Sequence, residues 1–181
     1  NFKKYIKRDF FDNGTLEELK SFLAKHDYFM MKPYDGLGGS GVEKIYTKDI
    51  KNIEEFYQKL KEEKLFLEEY VEQHPKISEI CSSSVNTIRI MTFSKNEILF
   101  ACMRFGNGTS SVDNFHKGGM ACLVDLETGK LVGEAFNKNL DYFAAHPKSH
   151  IKFDGFQIPN WEKIKRLVLE ASLVNKNIHV V

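Results

Sequence analysis

A glycine-rich segment in the first third of the chain reads Met31-Lys32-Pro33-Tyr34-Asp35-Gly36-Leu37-Gly38-Gly39-Ser40-Gly41-Val42. The runs 28–33 and 42–46 are strand-like, and Pro33 ends the first run because proline cannot donate to a sheet ladder. Residues 28–46 are therefore predicted to form a hairpin that carries the glycine loop at its tip. Glycines there let backbone N–H groups approach phosphate oxygens, because no Cβ stands in the way.

The spacing of Gly36, Gly38 and Gly41 also matches the dinucleotide-binding fingerprint. That fingerprint requires a helix after the loop, whereas residues 42–46 read as a strand. A P-loop is excluded because no Lys-Ser or Lys-Thr pair closes the segment, and a protein kinase because HRD and DFG sequences are absent. A phosphate-binding flap with Lys32 at its base is the functional interpretation, and a flexible surface hairpin is the structural alternative.

Composition indicates an ordinary globular protein. The chain has 181 residues, 42% of them hydrophobic, and a formal net charge of +1, which gives no support for bulk nucleic-acid or polybasic membrane binding. No apolar run reaches the roughly 18 residues of a membrane span. Cys81, Cys102 and Cys122 form no CxxC pair, which favours a reducing cytoplasm over a disulfide framework or a zinc site.

Hydrophobic periodicity predicts helices around the hairpin and strands farther along. Thr15 and Glu18 fit a capping box for a helix that ends near His26, and Thr47 or Asp49 is expected to cap a second helix. A final helix is expected after residue 160. The predicted strands outside the hairpin are 65–71, 87–93, 98–105, 120–125 and 131–136.

Two arginines stand in predicted strands. Arg89 lies in the alternating run 87–93 and shares a face with Met91. An arginine cannot shed its charge, so one among apolar neighbours needs an anionic partner. A phosphate or an acyl phosphate would serve, and a structural salt bridge is the alternative; Arg104 follows the same argument.

A polar loop between strands contains Asp113 and Asn114, followed by the glycine pair 118–119. These two side chains either line an acceptor site, approach a metal or form a tight turn. The histidines show no metal-ligand spacing, so no metal site is predicted within the chain.

The segment in which a lysine, a proline and a glycine flap follow one another resembles the lysine-and-flap segment of the ATP-grasp superfamily. Later segments resemble its branch of sugar-transfer-associated ATP-grasp proteins, over roughly residues 13–181. These segments are Leu67–Val71 with Gln73–Pro75, Asn86–Ile90, Arg104–Gly106, Val112–Phe115, Gly118-Gly119, Asp125–Gly129, His146-Pro147, Gly155 and Ile158–Trp161.

The resemblance implies an α+β ATP-grasp fold of two lobes with mainly antiparallel sheets and the nucleotide cleft between them. Residues 1–70 would form a small lobe with the flap, and residues 71–181 a larger strand-rich lobe, incomplete at its carboxyl end. The resemblance also implies the contacts with ATP: Lys32 would bind the α- and β-phosphates, and the triphosphate would be covered by the loop of Gly36, Gly38, Gly39, Ser40 and Gly41. Backbone groups of Glu69, Tyr70 and Val71 would bind adenine. A carboxylate of Glu68, Glu69 or Glu72 would bind the ribose.

The implied function is that of an ATP-dependent carboxylate–amine ligase, or a related ligase, which acts through an acyl phosphate in surface polysaccharide synthesis. ATP and Mg²⁺ are the implied cofactors. Arg89 and Arg104 would neutralise charge during catalysis, while Asp113 and Asn114 would bind a small-molecule or sugar-linked acceptor. A kinase for a sugar or another small molecule, and a non-catalytic nucleotide-binding or scaffold module, remain as alternatives.

One departure concerns the metal. The superfamily's magnesium carboxylates lie on late strands, which the resemblance places beyond residue 181. We therefore expect a chain truncated at its carboxyl end, and also at its amino end, where no initiator Met stands. Loss of the late strands should leave a sheet edge or an apolar face uncovered, favour self-association and permit at most weak ATP turnover.

Overall fold

A computed structural model describes residues 5–36, 40–93, 97–110 and 112–174. The helices are Leu16–Lys25 (α1), Ile53–Glu62 (α2), Pro75–Ile80 (α3) and Trp161–Ser172 (α4). The strands are Phe10–Phe11 (β1), Tyr28–Pro33 (β2), Glu43–Tyr46 (β3), Leu65–Glu69 (β4), Ile88–Phe93 (β5), Glu97–Phe105 (β6), Met120–Val124 (β7), Leu131–Asn137 (β8) and Tyr142–Phe143 (β9). Two compact units result: Lys7–Val71 forms one, and residues 72–174, with residues 5 and 6, form the other.

The first unit is built on a four-stranded antiparallel sheet in the order β1-β4-β2-β3. Strands β2 and β3 pair from Tyr28 opposite Tyr46 to Met31 opposite Glu43, so the predicted hairpin is confirmed. Residues 37–39 of its loop, including the predicted phosphate ligands Gly38 and Gly39, lie outside the described residues.

Helices α1 and α2 cover one face of this first sheet. The buried side chains of that face and of the helices form one core: Phe11, Leu19, Phe22, Leu23, Phe29, Met31, Leu60, Leu65 and Leu67. Side chains alternate along a strand, so Met30 and Lys32 lie on the other face. We call this second face of the first sheet, with Tyr28, Met30, Lys32, Lys44 and Glu68, the helix-free face.

The second unit contains a five-stranded antiparallel sheet in the order β5-β6-β7-β8-β9. One face packs against α3, the start of α4 and the segment around Phe153, in a core with Met103, Phe105 and Met120. Arg89 and Arg104 lie on the opposite face, which we call the arginine face. Met91, Leu123 and Val132 on this face are 44–47% exposed, so apolar side chains there have little cover.

Several local expectations are confirmed and others need correction. Thr15 and Glu18 form the predicted capping box of α1. Neither Thr47 nor Asp49 caps α2, because both lie in a preceding 3₁₀ turn; the Asn52 side chain accepts the Glu55 N–H at 3.2 Å instead. The elements β1, α3 and β9 were not predicted, because two to six residues are too short to show a hydrophobic period.

Two further findings bear on the class of protein. Within the described residues, no helix has both the length and the apolar character that crossing a membrane requires. Cys81, Cys102 and Cys122 are free and buried.

Candidate functional site

Lys32 lies on the helix-free face, at the base of the glycine hairpin. Its ammonium group forms an ion pair with one carboxylate oxygen of Glu68 on β4, and the Arg8 guanidinium pairs with the other oxygen. The pairing of Met30 with Glu68 sets this geometry, because it places Glu68 diagonally across from Lys32 on the same face. Two cations around one carboxylate leave a net positive charge, which suits an additional anion.

The described ends of the flap require glycine. A Cβ on Gly36 would approach the Pro33 ring to 2.7 Å and the Ser40 carbonyl oxygen to 2.9 Å. Gly41 has a φ of +71°, a conformation that side-chain-bearing residues rarely adopt. Ser40 is exposed beside it. Gly36 and Gly41, the described ends of the loop, therefore both lie close to the ring of Pro33, one residue after Lys32.

The carboxylates expected to serve the ribose lie on different faces. Glu68 is on the helix-free face and only 8% of its side chain is exposed. Glu69 points the other way, where its carboxylate accepts the Asp9 N–H at 2.8 Å. The Glu69 N–H donates to the Asp9 carbonyl at 2.9 Å, so it is already engaged. Of the backbone groups expected to hold adenine, those of Tyr70 and Val71 follow the end of β4.

A cation–aromatic cluster, absent from the sequence-based predictions, stands on the helix-free face next to Met30. The Lys44 ammonium lies 4.0 Å from the centre of the Tyr28 ring and 4.3 Å from that of Tyr70. The two rings meet edge to face, with centres 5.4 Å apart. This contact fixes Tyr70 at the end of β4.

On the arginine face, Arg104 is bound to the loop before β7. Its Nη2 donates to the Asp113 carboxylate and to the Asp113 backbone carbonyl, both at 3.1 Å. The other oxygen of the Asp113 carboxylate accepts the Thr87 N–H at 3.0 Å and the Thr87 hydroxyl. The structural salt bridge left open by the sequence is therefore present at Arg104.

Arg89 differs from Arg104. It is exposed, and within the described parts of the chain no hydrogen bond or ion pair to it is found. It stands opposite Cys102 in the sheet, and Cys102 lies two residues before Arg104. Burial raises the pKa of the Cys102 thiol, although the positive charges of Arg89 and Arg104 act to lower it. Both guanidinium groups therefore belong to one surface.

Asn114 serves its own loop. Its side-chain oxygen accepts the His116 N–H at 3.0 Å, and its carbonyl accepts the Gly119 N–H at 2.9 Å. Gly119 packs closely here, since a Cβ would come within 2.4 Å of the Asp113 carbonyl oxygen. The structure thus brings Asp113 together with Arg104, while the side-chain oxygen of Asn114 caps a turn.

A pair of amide side chains, Gln73 and the buried Asn86, holds the start of β5, and no motif in the sequence indicated it. Asn86 donates from its side chain to the Gln73 side-chain oxygen at 2.9 Å and to the Cys81 carbonyl at 2.7 Å. Its own side-chain oxygen accepts the Gly106 N–H at 3.1 Å. Asn86 therefore joins the first residues of β5 to the end of β6, next to Thr87 and Arg104.

The part of the chain that the structure describes does not supply a magnesium site. Among the described residues, no group of three or more His, Cys, Asp or Glu side chains is arranged to hold a metal ion. The Asp125 carboxylate accepts the Thr128 N–H and hydroxyl at 2.7 and 2.6 Å in a turn. We therefore derive no chemical step through a metal.

The class of protein follows from residues 7–179, which match a family of ATP-grasp proteins. Because this match spans nearly the whole chain, the chain belongs to the family described as sugar-transfer associated ATP-grasp. The predicted family and the predicted α+β ATP-grasp fold, with two mainly antiparallel sheets, are confirmed.

Among solved structures, the chain is similar to the crystal structure of the D-cycloserine synthetase DcsG, with a TM-score of 0.42 and 14% sequence identity. The likeness covers 91% of this chain but only 64% of the synthetase, less than two thirds of its length. A comparison with curated proteins found no significant match. The family assignment therefore rests on the sequence match over residues 7–179.

Proposed function

We propose that the chain is the ATP-binding part of an ATP-dependent carboxylate–amine ligase that contributes to surface polysaccharide synthesis. The observation that carries this proposal is the charged group at the base of the flap. There Lys32 and Arg8 share the Glu68 carboxylate, and Lys32 is followed by Pro33, against which Gly36 and Gly41 of the flap pack closely. Membership of the sugar-transfer associated ATP-grasp family supports the link to saccharide chemistry.

In this proposal Lys32 exchanges Glu68 for the α- and β-phosphates of ATP, and the backbone of the flap covers the triphosphate. A lysine suits this exchange because its ammonium is a point charge on a flexible stem. The adenine edge would pair with backbone groups of Tyr70 and Val71, since the Glu69 N–H already binds Asp9. Glu68 or Glu72 would take the ribose hydroxyls.

The proposed reaction has two steps. A carboxylate oxygen of the donor attacks the γ-phosphorus of ATP, the bond from that phosphorus to the bridging oxygen breaks, and ADP leaves. An amine then attacks the acyl carbon, the carbon–oxygen bond to phosphate breaks, and inorganic phosphate and a proton leave. The exposed Arg89 and the positioned Arg104 would neutralise the charge that develops on the phosphoryl oxygens.

The test has a binding part and a product part. Calorimetry with ATP is expected to show binding to the wild-type protein, and absence of binding would refute the proposal. Incubation of a full-length form of the protein with ATP and panels of carboxylates, amines and sugars is then expected to yield ADP, phosphate and an amide. A phosphorylated sugar would identify a kinase instead, and binding of ATP without any product from these panels would favour a non-catalytic module.

A further inference from the structure

We propose that Asp113 is a positioning residue, which fixes the Arg104 guanidinium for an anion on the arginine face and does not itself bind acceptor or metal. The inference rests on the proposed function, in which Arg104 serves a phosphoryl group. It replaces the sequence-based expectation that Asp113 contacts the acceptor.

The first argument is the use of the Asp113 carboxylate. Its side chain is only 12% exposed. One oxygen accepts two donors from Thr87, the N–H at 3.0 Å and the hydroxyl, and the other accepts Arg104 Nη2 at 3.1 Å. A carboxylate with both oxygens engaged inside the protein is poorly placed to bind an incoming ligand.

The second argument is that the contacts close a ring. The Arg104 N–H donates to the Thr87 carbonyl at 2.8 Å, Thr87 donates to Asp113, and Asp113 accepts from the Arg104 side chain. The backbone N–H and the side chain of Arg104 are therefore bound by the same two residues, Thr87 and Asp113. Ordering a long side chain before the ligand arrives removes an entropic cost from binding.

The third argument is the geometry of the guanidinium. Both contacts with Asp113 use Nη2, so Asp113 holds one end of the planar group. Nη1 is not used by Asp113 and can serve a second acceptor. The loop behind is closely packed, because a Cβ on Gly119 would come within 2.4 Å of the Asp113 carbonyl oxygen.

A double-mutant cycle tests this assignment, with ATP affinity measured by calorimetry on Asp113→Asn, Arg104→Gln and the double variant. We expect each single change to weaken ATP binding by about tenfold and the double variant to bind no worse than Arg104→Gln. Additive losses would mean that Asp113 contacts the ligand itself, and unchanged affinity in either single variant would also overturn the assignment.

A second readout is independent of ATP, so it separates failure of this inference from failure of the proposed function. The Nε–H signal of Arg104 in a ¹H–¹⁵N spectrum reports whether its side chain is held. We expect a sharp, slowly exchanging signal in the wild type and its broadening in Asp113→Asn. An unchanged signal in that variant would show that Asp113 does not fix Arg104, whether or not ATP binds.

Asp125→Asn is the matched control. Asp125 accepts the same two donors from a threonine, the Thr128 N–H and hydroxyl, and no arginine pairs with it among the described residues. This variant should leave both ATP affinity and the Arg104 signal unchanged. If Asp113→Asn does not fold, Thr87→Val is the second variant, because it removes only the hydroxyl bond to Asp113. It should change ATP affinity and the Arg104 signal in the same direction as Asp113→Asn, but by a smaller amount. No change in either measurement would overturn the assignment.

Discussion

On the face away from its helices, each of the two sheets pairs a candidate site cation with a carboxylate, Lys32 with Glu68 and Arg104 with Asp113, and the two pairs are built differently. Lys32 and Glu68 meet side chain to side chain across neighbouring strands, with 30% and 8% of the side chains exposed. Arg104 and Asp113 join a strand to a loop, with 18% and 12% exposed, and the arginine also binds the loop backbone.

This difference indicates that Lys32 can exchange its carboxylate partner for another anion, whereas Arg104 stays bound to Asp113. Glu68 is shared between Lys32 and Arg8, so Lys32 can leave for a phosphate without stranding an unpaired carboxylate. Asp113 has no second cation in the described part of the chain, and its other donors come from Thr87. Departure of Arg104 would therefore leave a buried carboxylate without a cationic partner.

The largest expected effect tests the premise that the first sheet has one packed face and one open face. Phe29 is fully buried under α1 and α2, so Phe29→Ala should lower the free energy of unfolding by about 3–5 kcal/mol. Tyr46, 43% exposed on the helix-free face, is the control; Tyr46→Ala should cost below about 1 kcal/mol. Urea unfolding measures both, and equal losses would refute the distinction between the faces.

The next effect compares the ion pairs directly. Asp113→Asn should cost about 2 kcal/mol of unfolding free energy, because an amide presents a donor to Thr87 or to Arg104 where an acceptor is needed. Glu68→Gln should cost below about 1 kcal/mol, because Lys32 and Arg8 are partly exposed and water can solvate them. If the two variants unfold at the same urea concentration, the comparison fails.

A smaller effect concerns ATP binding at Lys32. Lys32→Ala should weaken ATP affinity by at least about 1 kcal/mol, roughly fivefold in Kd, which is the scale of a charge-assisted hydrogen bond. Lys44→Ala removes a lysine from the same face, one strand away, and should change the affinity less. Unchanged affinity of Lys32→Ala in calorimetry would remove Lys32 from the site.

How far the sequence predicted this structure depends on the range of the interaction. The hairpin, the capping box and the alternation around Arg89 follow from neighbours in the chain, so they were predictable. The ion-pair partners were not, since Lys32 and Glu68 are 36 residues apart and meet through the pairing of strands β2 and β4. The difference between Arg89 and Arg104 was not predictable either, because the two arginines stand in similar sequence patterns. Among the described residues, only Arg104 forms an ion pair with a carboxylate.

The smallest expected effect contrasts one surface carboxylate from each unit, since hydrogen bonds from a threonine lower the pKa of both. At Asp125 the Thr128 hydroxyl is the main cause of the lowered pKa, and the Thr128 backbone N–H is the second. At Glu18 the order is reversed, because the Thr15 backbone N–H lowers the pKa more than the Thr15 hydroxyl does. The distances agree with this order, because the hydroxyl bond is 2.6 Å at Asp125 and 3.1 Å at Glu18.

Replacing the hydroxyl by a methyl group should therefore raise the pKa of Asp125 in Thr128→Val more than that of Glu18 in Thr15→Val. A lowered pKa in the folded state stabilises the protein above the unfolded-state pKa, and this contribution is lost as the pH falls through the folded-state value. The stability difference between the wild type and Thr128→Val should accordingly shrink below about pH 4. Carboxyl-carbon NMR titrations of both variants measure the two pKa changes. A larger rise in the pKa of Glu18 than in that of Asp125 would contradict this prediction.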